Sequence, residues 1–367
     1  MSKYFELSKE EEQRALDLHN KSIVIEANEA THQDEFDEEF VDIRKREGID
    51  AVVITLSPSG NLETVVSSIC DWYSIIENNA EKTILVNEAK DVGTSKEKEK
   101  LGIIIGIQNP SAISSRGFSY GSGQGDLRFL NILHKLGLRV MTLAYNYRSS
   151  LANGCAEKKD CGLSAFGVKV VNEMNRIGML IDLSHVGKVS SLEAIELSKD
   201  PVLFSHSMSR VLNDHYRAID DEQIKALAEN GGFIGIPGLS GFLIPGGFKT
   251  GCTINDYIDH IDFIANLVGV DYVGIGTDIR KMEKSTSFTA QKQIGRIAGI
   301  QRKEMEVHKS DTVGLTPDIK YPKGLSDGRT VYYSNISRGL VARGYSDIEI
   351  QKILGLNFMR VYKQVCG

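Results

Sequence analysis

The sequence predicts an α/β chain folded as one (β/α)8 barrel of the TIM-barrel type. Three observations lead there. Eight short runs recur along the 367 residues, most of them near-continuously apolar, as strands covered by helices on both faces must be. Between them lie segments with apolar residues at three- and four-residue spacing, each stopped by a glycine. Two of the runs close on histidine, His185 in GMLIDLSHVG and His206 in PVLFSHSMSR, which puts two imidazoles at one rim of a parallel sheet. An open doubly wound sheet has the same alternation; a closed barrel needs about 250 residues and leaves room here for insertions.

The N-terminal stretch MSKYFELSKEEEQRALDLHN reads as a helical extension capped by Ser8, with Glu11 as its capping-box partner. The candidate strands are SIVIEANE (22–29), AVVITLS (51–57), LGIIIGIQN (101–109), LRVMTLAYN (138–146), GMLIDLSH (178–185), PVLFSH (201–206), GGFIGIPG (231–238) and DYVGIGTD (271–278). The candidate helices are GDLRFLNILHKLG (125–137), SAFGVKVVNEMNRIG (164–178), DDEQIKALAENGG (220–232) and YIDHIDFIANLVG (257–269). DVGTSKEKEK (91–100) is a charged surface loop or helix end. The glycine-rich SSRGFSYGSGQG (114–125) follows a strand, as a lid or as a plain βα loop. A polar excursion spans about 281–333, and SDIEIQKILGLNFMRVYKQV (346–365) closes the chain as helix. No internal repeat or linker divides residues 1–367, which argues for a single domain.

A net charge of −6 without a basic, aromatic-interleaved patch argues against nucleic acid as a partner. The five cysteines, Cys70, Cys155, Cys161, Cys252 and Cys366, are scattered and odd in number, as free thiols in a reducing compartment are. No signal-type or membrane-spanning apolar run occurs, so the expectation is a cytoplasmic protein with no membrane partner.

The run DYVGIGTDIR places Asp278 after its apolar core. Strand ends of a barrel converge on one small volume at its C-terminal face, so His185, His206 and Asp278 are candidates for one site. Imidazoles suit zinc or iron, and a carboxylate beside them can take a proton from metal-bound water. The same residues also read as polar strand ends that satisfy one another by hydrogen bonds.

GMLIDLSHVG, PVLFSHSMSR, DHYRAIDDEQIKALAENGGFIGI (214–236), DYVGIGTDI, CAEKKDCGLSAFG (155–167) and GLNFMRVYK (355–363) together resemble the membrane-dipeptidase (renal dipeptidase) family of zinc peptidases. The resemblance implies a TIM-barrel-like metallo-dependent hydrolase fold, often a homodimer, and hydrolysis of short peptides by two zinc ions sharing a water. On it, His185 and His206, 21 residues apart, match the two histidines that hold one zinc. Arg217 matches the arginine that binds the substrate carboxylate, although its sequence neighbours also fit a surface salt bridge. Asp278 matches the acid that handles the proton at the scissile bond.

The other metal half departs from the family. Asn28 and Ala30 stand where its His-x-Asp pair would be, Gln108 where its bridging glutamate would be, and Tyr145 where a substrate-positioning histidine would be. A neutral amide cannot compensate two dications as a carboxylate does. The expectation is therefore at most one zinc, at His185 and His206, or none. His32 and Asp34 form another His-x-Asp four residues downstream, but the run Glu29 to Glu39 carries six acids and reads as loop or helix start. Glu26 and Glu29 align with no ligand. Asn28, Gln108, Asn109, Tyr145, Asn146 and Arg148 form a polar rim for substrate, with His215 beside it. Three functions are compatible with these residues: a dipeptidase-like hydrolase of a small carboxylated peptide or amide, in which Asp278, Arg217 and Tyr145 act with the histidines; a metal-independent isomerase or lyase in the same pocket; and a non-catalytic binder of small molecules.

Overall fold

Short β-rich runs alternating with capped helices produce a parallel sheet that curls almost shut. The computed structural model describes residues 4–31, 33–56, 60–114, 125–279, 320–327 and 330–367, without the side chain of Asp34. His32, most of the 114–125 loop and most of the 281–333 excursion lie outside them. The strands are β1 Ile25–Glu29, β2 Ala51–Thr55, β3 Thr83–Leu85, β4 Leu101–Ile107, β5 Leu138–Thr142, β6 Leu180–Asp182, β7 Leu203–Phe204, β8 Phe233–Ile236 and β9 Val273–Ile275. Eight of them run in the order β1-β2-β4-β5-β6-β7-β8-β9, every described ladder parallel. These eight correspond to the eight apolar runs. The three-residue β3 has no long apolar run to announce it, and it pairs with the first half of β4 (Thr83 with Leu101, Leu85 with Ile103).

Parity sorts the side chains into two layers. Ile25, Ala27, Ala51, Val53, Ile104, Val140, Leu180, Leu203 and Phe233 pack together with Phe358, Val361 and Tyr362 of the terminal helix Asn357–Cys366 and fill the barrel. The alternate residues, among them Val52, Ile54, Ile103, Ile105, Ile181, Phe204 and Ile234, pack under the surrounding helices. Burial on both faces is what a parallel sheet requires, and it is why the runs look continuous rather than alternating.

The expected helices form at Lys9–Lys21, Leu127–Lys135, Ala165–Ile177, Asp221–Glu229 and Ile254–Val268. Ser8 and Glu11 make a reciprocal capping box on the first of these. Gly178 ends the third at φ 73°, a left-handed value that costs a glycine little. Helices Glu38–Arg46, Leu62–Asn78, Ala89–Glu97 and Lys188–Leu197 complete the outer layer. The terminal segment is helical from Asp347 to Cys366, with one π turn at Lys352–Leu356. Within it a Cβ on Gly355 would stand 2.4 Å from the Ile23 carbonyl oxygen, so only glycine lets this helix lie against the chain entering β1. No described helix is long and apolar enough to cross a membrane.

Between β9 and β1 a carboxylate bridges the strands. The Thr277 N–H donates to Glu26 Oε1 at 2.7 Å, and just beyond it the Asp278 N–H donates to the Asn28 carbonyl at 3.2 Å. The barrel closes there through that side chain and one backbone hydrogen bond rather than a strand ladder.

Candidate active site

Asn146, His185 and Asp278 leave β5, β6 and β9 in the left-handed backbone region, at φ 59°, 68° and 54°. L-residues rarely adopt it, and His185 has no short polar side chain to ease the cost as asparagine and aspartate do. Such positions cluster where the fold must aim a side chain. Here they aim three into one volume at the C-terminal ends of the strands.

The imidazoles of His185 and His206 are buried and face each other, Nε2 to Nε2, at 2.9 Å. Each has its other nitrogen fixed. His185 Nδ1 meets Asn146 Oδ1 at 2.7 Å, so it carries the proton and donates. His206 Nδ1 meets Ser205 Oγ at 2.7 Å, and that hydroxyl already donates to Asp182 Oδ2 at 2.6 Å, so His206 Nδ1 is again the donor. Both Nε2 lone pairs therefore converge, as in an imidazole pair that shares a cation. Burial first, then the Arg217 guanidinium, holds both histidines well below their ordinary pKa. Tyr145 stacks on His185 at 4.1 Å between ring centroids and keeps 38% of its surface exposed. Burial of the phenol in the mouth and the Asp278 carboxylate push its pKa up to about 12.

Asp182 ties β5, β6 and β7 together. Its buried carboxylate accepts from the Ser184 and Ser205 N–H groups and from the Ser205 and Thr142 hydroxyls. Ser184 Oγ accepts from the His206 N–H at 3.0 Å. The sequence reading missed Asp182, Ser184 and Ser205. Their signal is that both histidines directly follow a serine.

On the opposite side Asn28 organises a chain of amides. Its Oδ1 accepts from Gln108 Nε2 at 2.7 Å and from Thr55 Oγ1 at 3.2 Å, which leaves Nδ2 to donate to Asp278 Oδ1 at 2.6 Å. Asp278 is raised to about 7, by burial, with Glu26 and Glu29 adding like charge against the lowering effect of Arg217. Arg217 is 2% exposed; its Nη2 donates to the His206 carbonyl at 3.1 Å, and Nε, sealed from solvent, has no partner. The surface ion pair that its neighbours suggested is not what forms.

The remaining expected rim residues scatter. Asn109 turns back to accept from the Ser111 N–H, and Arg148 is exposed with Nε on Asn153 Oδ1. His215 accepts from the Arg217 N–H through Nδ1 and packs among Tyr216, Phe242 and Phe248, so it supports Arg217 from behind. Glu29 is committed elsewhere, to a buried ion pair with Arg44 at 2.8 Å.

The model of the membrane dipeptidase family (peptidase family M19) matches residues 16–288, a span that holds every residue of this site. The chain belongs to that family. Among relatives, dipeptidase tcpJ of Claviceps purpurea is 30% identical over 238 residues, 64% of this chain and 47% of that protein. Dipeptidase 3 of Mus musculus is 29% identical over 273 residues, 73% and 45% of the two chains. The match thus spans about half the length of these relatives. Among solved structures, an amidohydrolase from Pseudomonas aeruginosa superposes with a TM-score of 0.81 at 31% identity, over 96% of this chain and 99% of that one. Dipeptidase AC, described as a metallo peptidase, has a TM-score of 0.72 at 16% identity, over 94% and 99%, and speaks for the barrel alone.

Zinc peptidases of this family imply metal, and the two halves of the pocket answer differently. The His185–His206 pair fits one ion: two buried neutral imidazoles, tautomers preset, lone pairs convergent. The pair would supply two of the nitrogen donors that zinc takes, and a further ligand would have to come from outside it. The second half does not fit. Gln108 donates to Asn28, Asn28 donates in turn to Asp278, and Ala30 brings no donor. Among the described residues no group of three or more histidine, cysteine or acidic side chains is poised for a metal.

Proposed function

We propose that this chain is a hydrolase of small peptides or amides that carry a carboxylate next to the scissile bond. The observation that carries the reading is Arg217, a buried guanidinium beside the imidazole pair whose Nε lacks a partner. A buried cation with an idle donor is costly, and a planar carboxylate is the group that matches its two-pronged geometry. The family and the P. aeruginosa amidohydrolase agree with an amide bond as the target.

Arg217 would anchor the carboxylate and hold the amide against the histidines, converting a collision into a positioned encounter. His185 and His206 would hold one zinc ion, which when bound supplies Lewis-acid activation of the carbonyl and of water. Asp278, raised to about 7, takes the proton of the attacking water as its oxygen bonds to the carbonyl carbon, then returns it to the leaving nitrogen as the C–N bond breaks. A carboxyl with that pKa can act in both directions near neutrality. Tyr145 keeps its proton through the physiological range and presents an O–H donor at the mouth.

The test compares a dipeptide bearing a free C-terminal carboxylate with its C-terminal amide. The free acid should be cleaved with kcat/KM about 10- to 100-fold higher, the value of one charge-assisted pair, and Arg217→Ala should erase the difference. Equal cleavage of both removes the carboxylate anchor. Thermal stabilisation by the dipeptide with no product would make the protein a binder instead.

A further inference from the structure

We propose that Glu26 is the positioning residue of Asp278: its buried carboxylate clamps β1 to the segment after β9, so that the Asn28–Asp278 contact forms at a fixed place on the pocket wall. Glu26 is fully buried and accepts four hydrogen bonds. Oε1 takes the N–H of Asn28 at 3.1 Å and of Thr277 at 2.7 Å; Oε2 takes the hydroxyls of Thr277 at 2.7 Å and Tyr333 at 2.8 Å. Asn28 and Thr277 lie 249 positions apart in the chain (277 minus 28), and no strand ladder joins them. One oxygen thus holds the backbone that delivers Asn28 and the backbone that delivers Asp278. The next bond outward is Asp278 N–H to the Asn28 carbonyl, and the one after it Asn28 Nδ2 to Asp278 Oδ1. The clamp stands inward of these two contacts and fixes the backbone on both sides of them, so the left-handed turn at Asp278 meets β1 in one register.

The same carboxylate acts on the charge of Asp278. Glu26 is faced by Glu29, Arg44, Tyr257 and Tyr333; Asp278 is faced by Arg217, Tyr145, Glu29 and Glu26 itself. Like charge from Glu26 disfavours ionisation of Asp278, so the clamp also sets the pH at which Asp278 changes role. This rests on the hydrolase reading only for what Asp278 does in turnover.

Two substitutions separate place from charge. In Glu26→Gln the amide oxygen can still receive both backbone N–H groups, and the amide nitrogen can donate to the two hydroxyls, which accept as readily as they donate. Geometry is retained and charge is lost. Glu26→Met keeps the bulk and removes every acceptor. The readout is carboxyl ¹³C NMR of the full chain, with the Asp278 signal identified by its loss in Asp278→Asn. Expected are a midpoint for Asp278 lowered by about one pH unit or more in Glu26→Gln, and a displaced Asp278 signal at both pH extremes in Glu26→Met. An unmoved midpoint in Glu26→Gln removes the effect of Glu26 on the charge of Asp278. An unmoved signal in folded Glu26→Met overturns the positioning role, and if Glu26→Met does not fold, Glu26→Asp, whose carboxylate falls one methylene short of the Thr277 N–H, is read in its place with the same expected displacement. Both shifts without any peptide turnover would uphold the positioning role and discard the hydrolase reading.

Discussion

Replacing Glu26 by glutamine should stabilise the protein, and more so as pH rises. Burial of the carboxylate, reinforced by Glu29, raises Glu26 from 4.5 to about 7. As pH climbs, the unfolded chain loses this proton near 4.5 and the folded chain only near 7. Between those values the folded state binds more protons, so stability falls with increasing pH and the loss is complete above 7. At about 1.36 kcal/mol per pH unit, the ionised carboxylate costs about 1 kcal/mol at pH 5 and about 3 kcal/mol at pH 8. Glutamine keeps the hydrogen bonds and never ionises. Urea unfolding of wild type and Glu26→Gln at pH 5, 6, 7 and 8 should therefore give a stability difference that grows in favour of the variant by about 2 kcal/mol across the series. A difference that stays flat, or that shrinks as pH rises, would refute the reasoning. It would mean that the four donors hold Glu26 ionised despite its burial.

Two further outcomes follow from the same geometry. Zinc retained after dialysis, measured by elemental analysis, should not exceed one equivalent per chain and should vanish in His206→Ala; two equivalents would show that the Asn28–Gln108 half binds metal after all. Arg44→Leu should destabilise the fold by about 3–5 kcal/mol in urea, because it strands the Glu29 carboxylate, 0% exposed, without its cation. Adding Glu29→Gln should recover most of that loss, and failure to do so would assign the cost to packing on Phe40.

The barrel was legible because its signal is local and repeated. Each strand had to be apolar on both faces and each helix had to be capped and stopped, and Ser8, Glu11 and Gly178 do those jobs in sequence and structure alike. Strand β3 was not legible, since three residues pairing half of a neighbour carry too little pattern. The positions of His185, His206, Arg217 and Asp278 followed from strand ends and from the resemblance to the family. The sequence also determined what the second metal half lacks by residue type, because an alanine has no donor atom and two neutral amides carry no anionic charge, whatever the fold.

Only the tertiary structure decided how these groups work on one another. Which nitrogen of each imidazole carries the proton depends on Asn146, Ser205 and Asp182, which reach the histidines from neighbouring strand ends. That Arg148 and Asn109 turn away while Arg217 is buried with an idle Nε depends on partners such as Asn153, Ser111 and His206. Glu26, unremarkable in SIVIEANE, became a clamp because closing the barrel brings Thr277 and Tyr333 against it. Residue type and periodicity act over a few positions and can be read along the chain. Burial, tautomer and the shift of a carboxyl toward neutrality arise largely from contacts between separate strand ends, and only the closed barrel creates them.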